Sequence, residues 1–166
     1  MKAGLSLLAI AIALALQTTL TRFAVAGTGA LDVVLVAVIY VALTTGPGGG
    51  MLAGTAAGLI QDALSSGVIG IGGLAKTLVG FLVGAFGQQF IVTAALPRFV
   101  MFVAATALHA AVFMGLYVAL GLRVFSSPWT AIAGQALGNA VVGLVSFAVI
   151  ESLPGIVERR QRRRGR

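Results

Sequence analysis

Cysteine is missing altogether, acidic residues number four, and there is a single histidine. The first absence excludes disulfides, thiolate metal sites and redox-active thiols. The scarcity of carboxylates and imidazoles leaves little material for a catalytic centre, so neither a metal site nor a cofactor is expected. Charged residues make up 9% of the 166 positions, whereas a soluble domain carries about 25%. What is present is apolar: 59% of the chain is hydrophobic. No water-soluble core absorbs that much apolar sequence, so the solvent is lipid. Strand-like alternation is also missing, which excludes an outer-membrane barrel.

The fold class expected is all-α, a polytopic membrane protein built as a six-helix transmembrane bundle. Charges and Gly, Pro and Ser clusters divide the chain into six apolar spans, roughly Ala3–Thr21, Leu31–Thr45, Gly48–Leu64, Gly70–Phe90, Phe99–Leu120 and Pro128–Leu153. The second and third are short. At the helical rise they reach roughly 22 and 25 Å, against a hydrocarbon core of about 30 Å. They read either as two short spans or as a re-entrant hairpin broken at Gly46-Pro47-Gly48-Gly49-Gly50.

Net charge is +7, and six of the eleven basic residues fall within Arg159–Arg166. The domain division expected is a transmembrane domain over residues 1–158 and a basic cytoplasmic tail over 159–166. Such a tail meets anionic lipid headgroups; without an aromatic residue for base stacking, it does not read as a nucleic-acid binder. With an even number of crossings, Lys2, Arg98 and the tail arginines share one side, and Arg22 and Arg123 the other. Both termini are therefore expected in the cytoplasm. A rival reading takes Leu5–Leu16 followed by Ala24-Val25-Ala26-Gly27 as a cleavable signal peptide. The polar stretch Gln17–Arg22 interrupts that pattern, and a retained first helix is favoured.

The third span places Gly50, Gly54, Gly58 and Asp62 at four-residue intervals, and the fourth places Gly73, Lys76, Gly80, Gly84 and Gly87 within a narrow arc. Small-residue stripes let helix backbones approach closely in lipid. An intramembrane charge is costly unless it meets protein or a counter-charge. The two glycine faces are therefore expected to meet each other or another protein. Across the Ser65-Ser66-Gly67 turn, Asp62 and Lys76 are expected to form an ion pair. The alternative has Lys76 reaching the interface while Asp62 caps a turn in water. His109 reads as a hydrogen-bonded packing residue, and Gln135 with Asn139 as hydrogen-bonding glue between helices. The glycine run at Gly46–Gly50 lacks the Gly-Lys-Ser/Thr ending of a phosphate loop.

The segment Leu31–Gly84 resembles the rod shape-determining MreD family of bacteria. The pattern is an Asp-containing apolar span, a glycine turn, then Gly54, Gly58, Leu59, Asp62, Leu64, Ser65, Ser66 and Gly67, followed by a Lys-Thr-Leu-Val-Gly helix from Gly70 to Gly84. Leu31 stands where a proline is expected before Asp32. The resemblance implies a non-enzymatic inner-membrane scaffold of the lateral wall-elongation machinery, with a bundle like that of the substrate-binding subunits (S-components) of energy-coupling-factor (ECF) transporters. It implies MreC as partner and, through it, MreB, RodA and a class B penicillin-binding protein. The residues expected to make helix contacts are Gly54, Gly58, Asp62, Lys76, Gly80 and Gly84, with none catalytic. The runner-up is a small-solute uptake subunit with a polar pocket near Asp62, Lys76, Gln135 and Asn139.

Overall fold

A computed structural model describes residues 2–23, 31–65, 67–90, 94–123, 125 and 128–164, without the side chains of residues 2–3, 5, 20–23 and 153–164. Among these residues the chain forms six α-helices and no strand: α1 (Lys2–Phe23), α2 (Val33–Thr45), α3 (Pro47–Leu64), α4 (Ile71–Gln89), α5 (Ala95–Ala119) and α6 (Pro128–Arg164). The all-helical architecture expected from composition is the one observed. Ile71–Gln89, Ala95–Ala119 and Trp129–Ser152 are long and apolar enough to cross a membrane. Ser6–Thr19 and Val33–Thr45 are shorter apolar stretches. The Ala24–Gly27 stretch of the signal-peptide reading and the central Ser66 of the turn lie outside the described residues.

The short α2 is the axis of the bundle and touches all five other helices. Its sequence VVLVAVIYVALTT is apolar on every side, as a helix enclosed by others must be. Val34, Leu35, Val38, Ile39 and Ala42 are fully buried. Enclosure explains how so short a helix persists in an apolar medium: its flanks and its start meet other helices instead of lipid.

One residue, Gly46, joins α2 to α3. Its φ of 84° lies in the left-handed region that glycine tolerates, and Pro47 then supplies the fixed φ favoured at a first helical position. The chain folds back so tightly that a Cβ on Gly50 would strike both Ala42 and the Gly80 backbone. On the opposite flank α5 and α6 pack through Phe102, which is fully buried and leaves no room for a Cβ on Gly143. Phe147 meets Phe102 edge-on and Tyr40 at a tilt, joining that pair to α2.

The sixth span was expected to end at Leu153. Instead α6 continues through Pro154 to Arg164, so the basic segment up to that residue is helical backbone continuous with the bundle. Proline removes one backbone donor from a helix but does not by itself end it.

Candidate polar core and helix seam

The α3–α4 seam is where the glycines act. A Cβ on Gly54 would meet the Lys76 carbonyl, one on Gly80 the Gly50 carbonyl, and one on Gly84 the backbone of Gly46 and Pro47. A Cβ on Gly58 would lie 2.6 Å from the Gly73 Cα. Backbone thus meets backbone along the seam, and the Thr55 and Thr77 hydroxyls close it at 2.8 Å. This register sets Gly54 opposite Lys76 and Gly58 opposite Gly73.

That register also separates the two charges expected to pair. Asp62 lies two helical turns beyond Gly54, roughly 12 Å along α3 from the level of Lys76. The Asp62–Lys76 ion pair does not form. Asp62 Oδ2 instead accepts from the backbone N–H of Gly70 at 2.8 Å and of Gly73 at 3.0 Å. Helix α4 begins after a left-handed Gly70, which has no side chain to cap it. The carboxylate of the preceding helix does that work, satisfying amide donors and opposing the positive end of the helix dipole.

Lys76 points to the other side of α4 and pairs with Asp32, Nζ to Oδ2 at 2.8 Å, with both side chains nearly inaccessible. Nζ also lies 3.2 Å from His109 Nε2. An ammonium has donors only, so Nε2 accepts and the imidazole is the neutral Nδ1–H tautomer. Among the described residues Nδ1 is buried without a partner. His109 therefore binds a neighbouring helix through a hydrogen bond, as expected of a packing residue.

Asp32 is the hub of this core. Its Oδ1 caps its own helix by accepting from Leu35 N at 2.9 Å, while its backbone N–H donates to Asn139 Oδ1 at 2.9 Å. Asn139 Nδ2 donates in turn to the Thr106 hydroxyl. From α1, Gln17 Oε1 accepts from Val33 N at 2.8 Å and its Nε2 donates to the Leu31 carbonyl. Side chains of α1, α4 and α6 thus converge on the start of α2, with α5 behind them. Each satisfies a backbone or carboxylate group that would otherwise be costly to bury.

The sequence reading missed Asp32 as a site residue. The available signal was a lone carboxylate opening an otherwise apolar span, which demands a counter-charge; Lys76 was the one cation available within the spans. The uptake reading required Asp62, Lys76, Gln135 and Asn139 to share a pocket. Asp62 and Lys76 belong to separate networks, and Asn139 is fully buried and engaged. Among the described residues no group of three or more His, Cys, Asp or Glu side chains is placed to hold a metal ion.

The family model described as rod shape-determining protein MreD matches residues 2–152, from the first residue of α1 to the last turn of α6 that crosses the bundle. The chain belongs to the MreD family. It is therefore a rod shape-determining membrane protein, of a family whose known role is structural. No curated protein and no solved structure matches it. The polar hub and the glycine seam both lie inside the part that matches the MreD model, while the arginine-rich end from residue 159 lies outside it.

Proposed function

We propose that this MreD chain is a non-enzymatic scaffold subunit of the cell-wall elongation complex, sited in the bacterial inner membrane. It binds MreC directly and, through MreC, acts with MreB, RodA and a class B penicillin-binding protein. The observation that carries the reading is the use made of the polar side chains. Asp32, Asp62, Lys76, His109, Asn139 and Gln17 all hold helices together, leaving a rigid body with a lipid-facing exterior. Such a body recognises by shape and contact.

Gly54, Gly58, Gly80 and Gly84 serve the partner by fixing the α3–α4 hairpin, and Asp62 and Lys76 by anchoring its two sides. The outer face of that hairpin, with Leu52, Ile60, Leu74 and Phe81 exposed, is the surface offered to MreC. Both termini are cytoplasmic, and the domain division at residue 158 separates the bundle from its basic end. Co-purification from mild detergent tests the assignment. MreC retained by the native chain and lost from Phe81→Arg supports it. Equal retention by both, with normal cell width, removes that surface from consideration.

A further inference from the structure

Gln61 of α3 carries a side-chain oxygen, Oε1, that is buried and accepts no hydrogen bond among the described residues. Burying a polar atom without a partner is costly, so this oxygen marks a place where something donates to it. Gln61 lines a recess of about 40 Å³ between α1 and α3. Leu14, Gln17 and Thr18 wall it on one side, and Gln61, Leu64 and Ser65 on the other. Each wall is a triplet at i, i+3 and i+4, one face of a helical turn.

The groups around the recess ask for a hydrogen-bond donor. The Thr18 hydroxyl donates its proton to the Ala15 carbonyl at 2.9 Å, and the Ser65 hydroxyl donates to the Gln61 carbonyl at 2.7 Å. A hydroxyl that donates in this way accepts through its oxygen. Gln17 directs its amide to the start of α2, at the Leu31 carbonyl and the Val33 N–H. Helix α3 ends at Leu64, so the negative end of its dipole lies at the same place and also favours a donor.

Size and charge narrow the choice. A small organic ligand needs about 300 Å³ or more. A metal cation is held by carboxylates and several further oxygens, and none of the six lining residues carries a charge. A water needs roughly 10–15 Å³ and two to four polar partners, which the recess supplies.

We propose that the recess is a binding site for ordered water that bridges α1 to α3. One water donates to Gln61 Oε1 and to the Thr18 hydroxyl oxygen, with Ser65 at the exposed mouth. The bridge satisfies the buried oxygen and ties the first helix to the end of the third. It also stands behind Gln17, the side chain that seals the start of α2.

A crystal structure of the full chain grown from a lipidic mesophase, at a resolution that shows ordered water, tests the proposal. The expected result is a density peak within about 2.6–3.2 Å of both Gln61 Oε1 and Thr18 Oγ1. The peak should be unchanged when rubidium chloride replaces sodium chloride in the soak. Gln61→Leu removes the acceptor at similar volume and should lose the peak, while the bond from Val33 N to Gln17 remains as the control for folding. Thr18→Val gives a second reading, loss of the peak at an altered α1 wall. The unaltered chain decides the matter whatever the variants do. A peak that strengthens under rubidium marks a cation and overturns the proposal. So does a recess filled by a lipid headgroup or by a side chain of another molecule, and so does a recess with no peak at all.

Discussion

Lys76 of α4 and Asp32 at the start of α2 form a buried ion pair at 2.8 Å, and Lys76 makes no bond to the carboxylate nearer to it in sequence, Asp62. The pairing makes α2 and α4 interdependent. It also predicts how substitutions combine.

Replacing one partner of a buried pair strands the other and costs about 3–5 kcal/mol, whereas removing both costs far less. Asp32→Asn and Lys76→Met are therefore expected to destabilise strongly alone and to be partly rescued in combination. Asp62→Asn with Lys76→Met should lose stability additively, within about 0.5 kcal/mol, because the two groups share no partner. Thermal unfolding in detergent of the single and double variants provides the measurement. Strong coupling between Asp62 and Lys76 would contradict the geometry.

His109 supplies an acceptor to Lys76 Nζ and fills space beside Phe113. His109→Gln retains an acceptor and is expected to be mild. His109→Leu leaves the ammonium one bond short and should cost about 1–3 kcal/mol. The contrast between the two variants, measured by the same unfolding assay, separates lost hydrogen bonding from lost volume.

The α3–α4 seam has no space for side chains. Gly54→Val and Gly80→Val must each displace a facing carbonyl, and destabilisation of at least about 1–3 kcal/mol is expected. At Gly4 and Gly115 an added methyl group would meet nothing within 4 Å, so both should accept alanine with little change. The yield of monodisperse protein from the four variants distinguishes seam glycines from incidental ones.

Orientation rests heavily on the arginine-rich end. In the proposed topology, changing all six of its arginines to glutamine leaves two basic residues on each side of the membrane outside the spans. A mixed population of orientations is expected, visible as accessibility of engineered cysteines near residue 123 from both sides. A uniform orientation would show that Lys2 and Arg98 suffice.

The six helices were legible in the sequence because apolar length and Gly-Pro punctuation report directly on spans in lipid. The close approach of α3 and α4 was legible too, since glycines at intervals of four residues leave a bare strip along a helix. The charge pairing was not. Sequence proximity favoured Asp62, and one turn between two helices says nothing of axial register. The register is set by Gly58 against Gly73 and Gly54 against Lys76. Once those contacts form, Asp62 is carried past Lys76 to the first amides of α4. Asp32 was overlooked because its partner approaches from a helix that is not its neighbour along the chain. The continuation of α6 past Pro154 also escaped the pattern, for apolar content ends there while helical backbone does not.

The backbone amide of Asp32 is satisfied by Asn139, a residue synthesised only when the last span emerges from the ribosome. A nascent chain lacking that span would hold the central rod with the Asp32 amide left without this acceptor. Completion of translation thus becomes the event that closes the molecule. Fragments stopped earlier are expected to be recognised by membrane proteases, so that whole copies alone persist.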